Sequence, residues 1–408
     1  MRVLLICAVY PPENAPAGIM TQEWAADMRD AGHEVSVLTG WPNHPAGKLF
    51  SGYKRLLRRH EIVDGINILR VWHFLPGNKA APRRIAYWLS FSLFSFLAVL
   101  FGPKYDVIYS NTVPLTGPLA ICLASHLRLT RFVYGIFDIY PEAALEAKAI
   151  RVGLVFWLAL KMDKWVCQKA TRIRVIGKLQ QETLQRRGIP ENKISLIPLW
   201  LDGSRFPAQA PNSRWREENG IAMDKIVVLY AGTIGLISGA GIVLEAASRM
   251  QDQARLLFLF VGEGALKKEL QARTDKQKLN NVRFLPFQPE KQLNEVFRSA
   301  NIGLVTLLRG TGKNSVPSKV LGYLAAGLPV VASVDEDSDV ALYLREGQCG
   351  RVCPPQEAQP LEAAVMKFLD PVARTEAGTA ARDLFERQFS RASGTAQCTQ
   401  FLTESLLR

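Results

Sequence analysis

The feature that most constrains the fold is an alternation of short apolar runs and amphipathic stretches along the 408-residue chain. Residues 2–10, RVLLICAVY, are almost continuously apolar, as in a parallel strand buried on both faces. A turn rich in Pro, Gly and Ala follows, and then a helix-like stretch that ends at Gly32. Further strand-like runs are HEVSVLTG, INILRVWHF, YDVIYSN, RFVYGIF and TRIRVIG. This β-α-β succession predicts a parallel sheet with helices on both faces.

The same alternation restarts after a Pro-rich, aperiodic stretch, KISLIPLWLDGSRFPAQAPNSRW, that is typical of a linker. We therefore predict an α/β fold with two doubly wound, Rossmann-like domains. The predicted parts are a first domain (1–195), a linker (196–212), a second domain (213–385) and a C-terminal helix (386–408) that could pack back on the first domain. Ligands of such sheets bind beyond the carboxyl ends of the strands, so the predicted site is the cleft between the domains.

The charge balance restricts the partners. Fifty Lys and Arg against 37 Asp and Glu give a formal net charge of +13. This excess suits nucleic acid, an anionic membrane surface or a phosphorylated substrate. The six cysteines lie mostly in apolar runs, and Cys349 and Cys353 have no second Cys or His pair nearby, so we expect a reducing compartment and no zinc site. The first ten residues have the pattern of a strand, and we expect no signal peptide.

One segment has an unusual composition. Residues 86–102, AYWLSFSLFSFLAVLFG, are 17 residues without a charge, whereas a membrane-spanning helix needs about 20 apolar residues. Two interpretations are open: a buried core helix of the first domain, or a helix that dips into the membrane surface. Basic residues near the segment fit the second interpretation, because cations attract an anionic bilayer. They are Arg55, Arg58, Arg59, Lys79, Arg83 and Arg84.

The stretch NSVPSKVLGYLAAGLPVVAS, residues 314–333, predicts a helix that starts near Ser318 and Lys319 and leads into a strand. Free amides at a helix N-terminus attract phosphate, and Lys319 adds a positive charge. A diphosphate site is one interpretation, and a capped surface helix with a solvated lysine is the other.

Glycine turns follow strand-like runs in both predicted domains, and such turns let the backbone approach an anion closely. The turn YAGTIG contributes Gly232, Thr233 and Gly235, and VGEG contributes Gly262 and Glu263. The turn PPENAPAG ends at Gly18. None of the three is a complete P-loop or dinucleotide-binding fingerprint.

These stretches together resemble a family 4 glycosyltransferase with the GT-B fold, over nearly the whole chain. The motifs that carry the resemblance are PPENAPAGIMTQEWAADMRDAGHEVSVLTG, VVLYAGTIG, LLFLFVGEG, NVRFLPFQPEKQLNEVFRSANIGLV and VPSKVLGYLAAGLPVVAS, in the family's order. WPNHPAG and DIYPE resemble a narrower branch, the fucosyl- and N-acetylfucosaminyl-transferases of capsule, colanic-acid and O-antigen synthesis.

The resemblance implies retaining transfer from a sugar nucleotide, UDP- more than GDP-linked, without a bound metal or cofactor. Charge on the leaving diphosphate must then be met by amides and cations. The implied donor-binding residues are Gly18, Gly232, Thr233, Gly235, Gly262, Glu263, Phe287, Ser318 and Lys319. Two family glutamates are replaced by Asn314 and Gly322, so Lys319 is expected to carry more of the charge, with Arg309 or Lys313 as helpers.

On the acceptor side, the resemblance implies Asp138 and Glu142 as catalytic candidates, with Asn43 and His44 contacting the acceptor. Asp138 follows an apolar strand and could orient or deprotonate the acceptor hydroxyl, or it could only cap a helix. Residues 335–337, DED, imitate a metal-binding D-x-D, but we interpret them as a solvated loop.

The expected function is a bacterial glycosyltransferase, peripheral on the inner face of the cytoplasmic membrane, that acts on a polyprenyl-diphosphate-linked saccharide and does not bind nucleic acid. Two alternatives remain: a GT-B transferase with a soluble acceptor, and a non-catalytic protein that binds sugar nucleotides.

Overall fold

The computed structural model describes residues 1–54, 56–77, 81–112, 116–146, 150–206, 213–311 and 319–407. The chain forms two compact units. Unit 1 contains Met1–Pro198 together with Gly394–Arg408, and unit 2 contains Leu199–Ser393. The division lies after Pro198, within the range 196–212 predicted as a linker, and the last part of the chain joins unit 1 from Gly394, within the range 386–408 predicted as a C-terminal helix.

Unit 1 is built on an eight-stranded sheet with the strand order β3-β4-β2-β1-β5-β6-β7-β8. The strands are β1 (Arg2–Ile6), β2 (Glu34–Gly40), β3 (Arg58–Val63), β4 (Ile66–Val71), β5 (Val107–Asn111), β6 (Arg131–Ile136), β7 (Arg172–Val175) and β8 (Ile194–Leu196). All neighbouring strands pair in parallel except β3 with β4. The central strands are buried at nearly every position, as their continuous apolar runs predict.

The antiparallel edge strand β3 corrects the prediction of an all-parallel sheet. Its residues, RRHEIV, are mostly exposed, so no apolar run marks them. Asp64 and Gly65 connect β3 to β4, and both have positive φ angles of 49° and 73°. An Asp-Gly pair of this kind is a strong local signal for a two-residue hairpin turn, and the sequence-based prediction did not use it.

Helices cover this sheet on both faces, as predicted. They are α1 (Pro16–Asp30), α2 (Ala81–Phe101), α3 (Thr116–Leu127), α4 (Glu142–Glu146), α5 (Leu154–Lys169) and α6 (Lys178–Arg186). The apolar segment lies in α2. Within the described chain, its residues Pro82–Phe101 are long and apolar enough to cross a membrane, and 22% of the most apolar window is buried in the protein. A fully buried core helix is therefore not what the structure contains.

Unit 2 is built on a six-stranded parallel sheet with the order β11-β10-β9-β12-β13-β14. Its strands are β9 (Ile226–Ala231), β10 (Leu256–Val261), β11 (Val282–Leu285), β12 (Ile302–Thr306), β13 (Val330–Ser333) and β14 (Gly350–Cys353). Its helices are α7 (Ser213–Glu218), α8 (Gly241–Arg249), α9 (Lys267–Lys276), α10 (Glu290–Arg298), α11 (Lys319–Ala325), α12 (Asp339–Gly347), α13 (Ala358–Lys367) and α14 (Pro371–Leu384).

The C-terminal helix α15 (Arg391–Leu406) is held in unit 1 by polar contacts from Gly394 onward. The Trp24 indole N–H donates to the Thr399 hydroxyl at 3.1 Å. Glu404 pairs with Arg172 at 2.5 Å, and the Arg172 guanidinium lies 4.7 Å from the centroid of the Phe401 ring.

The first part of the predicted linker is not free. Trp200 is buried, and the Leu201 amide donates to the Phe389 carbonyl at 2.9 Å, so these residues are fixed within unit 2. Residues 196–198 belong to unit 1, and β8 ends at Leu196. Residues Gly203–Arg205 form a short 3-10 turn, and the end of the predicted linker, 207–212, lies outside the described residues.

Helix α11 is fixed to the sheet of unit 2 by one buried tyrosine. The Tyr323 hydroxyl donates to the Leu229 carbonyl at 2.9 Å and accepts from the Ala231 amide at 2.8 Å. Both partners lie in β9, so this hydroxyl sets where the first residue of α11, Lys319, stands beside the carboxyl end of that strand.

We expect Tyr323→Phe to lower the free energy of unfolding by about 1–3 kcal/mol, because the buried Ala231 N–H then has no acceptor. Urea denaturation of the intact chain measures the change. Tyr105→Phe is the control, since its half-buried hydroxyl has no hydrogen bond within the described part of the chain, and we expect a change below about 0.5 kcal/mol. Equal losses in the two variants would contradict this role of Tyr323.

Candidate active site

The turn that follows β9 presents backbone amides. The amides of Gly232 and Ile234 donate to the carbonyls of Val261 and Glu263, each at 2.9 Å. The alternate amides, of Thr233 and Gly235, donate to no acceptor within the described residues. The turn is thus anchored through every second residue, and the remaining N–H groups suit an anion.

A second glycine turn supports the first. Gly262 has a φ of 156°, and a Cβ built on it would lie 1.9 Å from the Gly232 carbonyl oxygen. Any larger residue would push the two turns apart. The structure therefore gives Gly262 a packing role, and its predicted contact with the donor stays a prediction.

Lys319, the first residue of α11, lies beside the first glycine turn. Its Nζ lies 3.6 Å from the centroid of the Tyr230 ring, and a Cβ built on Gly232 would lie 3.8 Å from its Cε. Within the described residues, Lys319 has no carboxylate partner. Burial lowers its pKa to about 7, because an ammonium without a counter-ion is poorly stabilised away from water. Unpaired amides and a half-buried cation without a counter-ion together form a candidate diphosphate site.

Two of the predicted donor residues lie at the ends of β10 and β11. Glu263 pairs with Lys267 at 2.6 Å, and this hydrogen bond is the main reason that its pKa is lowered. The Phe287 backbone also contributes a hydrogen bond to Glu263, while the Phe287 ring is 64% exposed. Such a ring is available to a ligand, but Glu263 already has a cation partner.

The predicted helpers of Lys319 have different outcomes. Arg309 pairs with Glu357 at 3.3 Å and is therefore engaged elsewhere. Ser318, Lys313 and Asn314 lie outside the described residues. At the position of the second family glutamate, a Cβ built on Gly322 would lie 2.8 Å from the Phe297 ring, so this position is used for packing in unit 2.

In unit 1, Asp138 follows β6 and is half-buried. Burial raises the pKa of its carboxyl, and no hydrogen-bond donor or cation pairs with it among the described residues. It does not cap α4, whose first amides donate to the carbonyls of Ile139 and Pro141. An unpaired, partly desolvated carboxyl is suited to accept a proton or to stabilise a developing positive charge.

Glu142, the other catalytic candidate, is already paired with Arg187. The same guanidinium pairs with buried Asp163 at 2.6 Å and donates to the Tyr140 carbonyl at 3.1 Å. Glu142 would lose this pair on accepting a proton, so the structure favours Asp138 over Glu142 as the acid or base. Arg187, which no sequence motif marks, fixes the segment that carries Asp138.

The predicted acceptor-side residues differ in exposure. Asn43 is buried, and its side-chain amide donates to the Trp41 carbonyl at 2.9 Å, so it shapes the turn. His44 is exposed and can reach a ligand. Both backbone amides donate to the carboxylate of Glu13, at 2.8 and 2.7 Å. Glu13 is a second residue that the sequence analysis missed.

The PPENAPAG turn is therefore occupied by its own carboxylate. Glu13 also accepts from the Tyr10 amide at 3.2 Å, and burial raises its pKa although these amides oppose the shift. A turn that holds a buried carboxylate is unsuited to a diphosphate. Gly18 has a packing reason of its own, since a Cβ built on it would lie 2.7 Å from the Val9 carbonyl oxygen. Its predicted contact with the donor stays a prediction.

Two family models match the chain. The one described as "Glycosyl transferase 4-like domain" matches residues 17–200, and the one described as "Glycosyl transferases group 1" matches residues 211–383. They cover most of unit 1 and most of unit 2, respectively.

Known proteins resemble the chain over its whole length. WcaI of Escherichia coli (strain K12), named as a colanic acid biosynthesis glycosyl transferase, is 25% identical over 398 residues, which is 96% of this chain and 97% of that protein. Anabaena HepE in complex with UDP has a TM-score of 0.71 at 16% identity and covers 99% of this chain and 100% of its own. WaaG, a glycosyltransferase involved in lipopolysaccharide biosynthesis, has a TM-score of 0.67 at 17% identity, with 98% and 99% covered. The predicted fold class is confirmed.

The lowered pKa of Lys319 predicts pH-dependent nucleotide binding. A bound diphosphate raises the pKa of Lys319. The affinity for the nucleotide is therefore highest at pH values below the pKa of about 7 of the unliganded protein, and it falls as the pH rises above that value. We expect the dissociation constant for UDP to increase by up to about ten-fold per pH unit between pH 7 and 9, measured by calorimetry. In this range the phosphates are already ionised.

The matched variant is Lys319→Ala, which should bind UDP at least about ten-fold more weakly at pH 7 and lose most of the pH dependence. An unchanged affinity in the folded variant would exclude Lys319 from the nucleotide site.

Proposed function

This chain is a group 1 glycosyltransferase with the GT-B fold, and we propose that it transfers a sugar from a nucleoside diphosphate to a lipid-linked saccharide during synthesis of a bacterial surface polysaccharide. UDP is proposed as the nucleotide in preference to GDP, and a polyprenyl diphosphate as the lipid carrier. The colanic acid role named for WcaI and the lipopolysaccharide role named for WaaG support the polysaccharide assignment. The motifs WPNHPAG and DIYPE support a fucosyl- or N-acetylfucosaminyl-type donor.

The observation that carries the donor proposal is the position of Lys319 beside the turn that follows β9. Its ammonium has no carboxylate partner within the described residues, and the Thr233 and Gly235 amides have no acceptor there. A diphosphate would satisfy all three groups at once. The likeness to HepE, which was solved with UDP, agrees with this ligand class.

The proposed reaction is a metal-independent transfer with retention at the anomeric carbon. The bond between this carbon and the diphosphate oxygen breaks, and the electron pair leaves with the nucleoside diphosphate. The acceptor hydroxyl oxygen bonds to the same carbon, and its proton passes to Asp138 or to the leaving diphosphate. Lys319 and the turn amides stabilise the negative charge that develops on the leaving group. Asp138 stabilises the positive charge on the sugar or accepts the proton.

The proposal of a lipid-linked acceptor draws support from the exposed face of α2. Every exposed position of this helix from residue 85 onward is apolar, and these positions recur every four residues on one side. They are Ile85, Leu89, Leu93, Leu97 and Phe101. The surface of a soluble monomeric protein rarely carries a continuous apolar stripe of this kind.

Neighbouring helices continue this surface with apolar and basic residues. Helix α3 packs on α2 and on α5, and the first turns of α5 expose Trp157 and Leu158. Lys161 and Lys164 follow on the exposed side. The sequences of α2, α3 and α5 contain one acidic residue, Asp163, and it is buried. Apolar side chains with a basic surround fit an anionic bilayer, into which Trp inserts at the interface. We propose peripheral binding to the inner face of the cytoplasmic membrane.

Turnover assays with a panel of UDP- and GDP-sugars, with and without a polyprenyl-diphosphate saccharide, test the function. We expect release of the nucleoside diphosphate together with a longer lipid-linked product. If sugar is transferred only to soluble saccharides, the alternative with a soluble acceptor is correct. Nucleotide binding without turnover on any acceptor would favour a non-catalytic protein.

Asp138→Asn keeps the shape of the side chain and removes the carboxylate. We expect turnover to fall by about 10² or more, and UDP affinity to change little, because the proposed nucleotide residues lie in unit 2. Asp30→Asn, at an exposed carboxylate of α1, is the control and should retain activity. Near-normal turnover of Asp138→Asn would remove it from the reaction.

Binding to vesicles tests the membrane surface. The wild type should sediment with vesicles that contain anionic lipid and should dissociate as salt rises, because the attraction is screened. Replacing Arg83 and Arg84 by Glu should weaken binding about ten-fold or more, at about 1 kcal/mol for each cation. Leu93→Asp should also weaken it, whereas Met223→Asp, an equally exposed position in unit 2, should not. A wild type that ignores anionic vesicles at low salt would contradict the proposal.

A further inference from the structure

We propose that Tyr230 is a positioning residue that holds both the Lys319 ammonium and the neighbouring glycine turn in the geometry that receives the donor's diphosphate. This inference rests on the proposed function and assigns a role to a side chain that the reaction itself does not require.

The face of the Tyr230 ring supports the ammonium of Lys319. Nζ lies 3.6 Å from the ring centroid, well within the distance at which a cation is attracted by the negative face of an aromatic ring. Tyr230 is 1% exposed, so water does not compete at the ring. The lysine therefore has a fixed partner that carries no charge.

The ring is itself fixed by an aromatic ladder across three strands. Tyr230 of β9 is the register partner of Phe260 in β10, and Phe260 is the register partner of Phe284 in β11. Their centroids are 5.3 and 4.7 Å apart along the ladder. Cross-strand pairs of this kind hold each ring in place, so the face toward Lys319 keeps its orientation.

The hydroxyl of the same residue controls the turn. It donates to the Thr233 carbonyl at 2.9 Å, which orients the peptide groups of the turn with unpaired amides. Burial raises the pKa of Tyr230 to about 12, so the hydroxyl remains a donor at neutral pH. One side chain thus connects the two groups proposed to bind the diphosphate.

A carboxylate in place of this ring would hold the lysine more tightly, but it would neutralise the cation and repel the incoming diphosphate. A ring attracts the ammonium without adding negative charge. The lysine can therefore contact the diphosphate without first breaking an ion pair. This accounts for a half-buried lysine that lies over an aromatic ring and not beside a carboxylate.

The test compares the binding of UDP and uridine, measured by calorimetry, in Tyr230→Leu and Tyr230→Phe. Tyr230→Leu removes the ring and should weaken UDP about ten-fold while leaving uridine unchanged, because only UDP carries the diphosphate. Tyr230→Phe retains the ring face but loses the hydroxyl that holds the turn, so it should weaken UDP by about three-fold, less than Tyr230→Leu does. Phe368→Leu, which removes a buried ring outside this ladder, is the control and should bind UDP normally. If Tyr230→Leu does not fold, Tyr230→Met replaces it.

A double-mutant cycle with Lys319→Ala separates positioning from general damage to the sheet. In the Lys319→Ala background, Tyr230→Leu should weaken UDP by only about three-fold, which loss of the hydroxyl explains. Additive losses in the two variants, or equal losses for UDP and uridine, would overturn the role of Tyr230. The proposed donor site would still stand in that case, provided that the wild type binds UDP. Failure of the wild type to bind UDP, GDP or ADP would overturn both.

Discussion

A half-buried ammonium group, that of Lys319, with no carboxylate partner among the described residues is the constraint on which the proposed site in unit 2 depends. Removing a charge from water is costly unless a partner compensates, and the lowered pKa of Lys319 reflects that cost. The protein holds the group there by other means: Tyr323 fixes α11 to β9, and the Tyr230 ring lies under the ammonium. The proposed diphosphate would supply the missing counter-charge.

Unit 1 contains a carboxyl group that likewise has no partner among the described residues. Asp138 is partly buried, has no partner among the described residues and has a raised pKa. Other charged groups of unit 1 are by contrast paired: Arg187 pairs with Glu142 and Asp163, and Glu13 accepts three backbone N–H groups. These internal contacts give the loops their shape and leave Asp138 available for the role proposed for it.

Sequence patterns predicted the architecture well because continuous apolar runs report burial, and burial on both faces is what parallel strands require. They missed β3, whose exposed residues give no apolar signal, although the Asp-Gly turn before β4 marks a hairpin. The site was harder to predict. The sequence does not distinguish a glycine that contacts a ligand from one that packs against another turn. For Gly262, only the close approach to the Gly232 carbonyl oxygen shows the packing role. Likewise, the pairing of Glu142 with Arg187 joins residues 45 apart in the chain, which no local motif reveals.

The central claim is that a nucleoside diphosphate binds at Lys319 and that binding fully protonates the amine of this residue. Calorimetry of UDP binding at pH 8, in two buffers with different ionisation enthalpies, measures the protons taken up on binding. With a free-state pKa of about 7, we predict uptake of most of one proton per UDP by the wild type and none by Lys319→Ala. Binding of UDP without proton uptake, or with the same uptake in both proteins, would contradict the account.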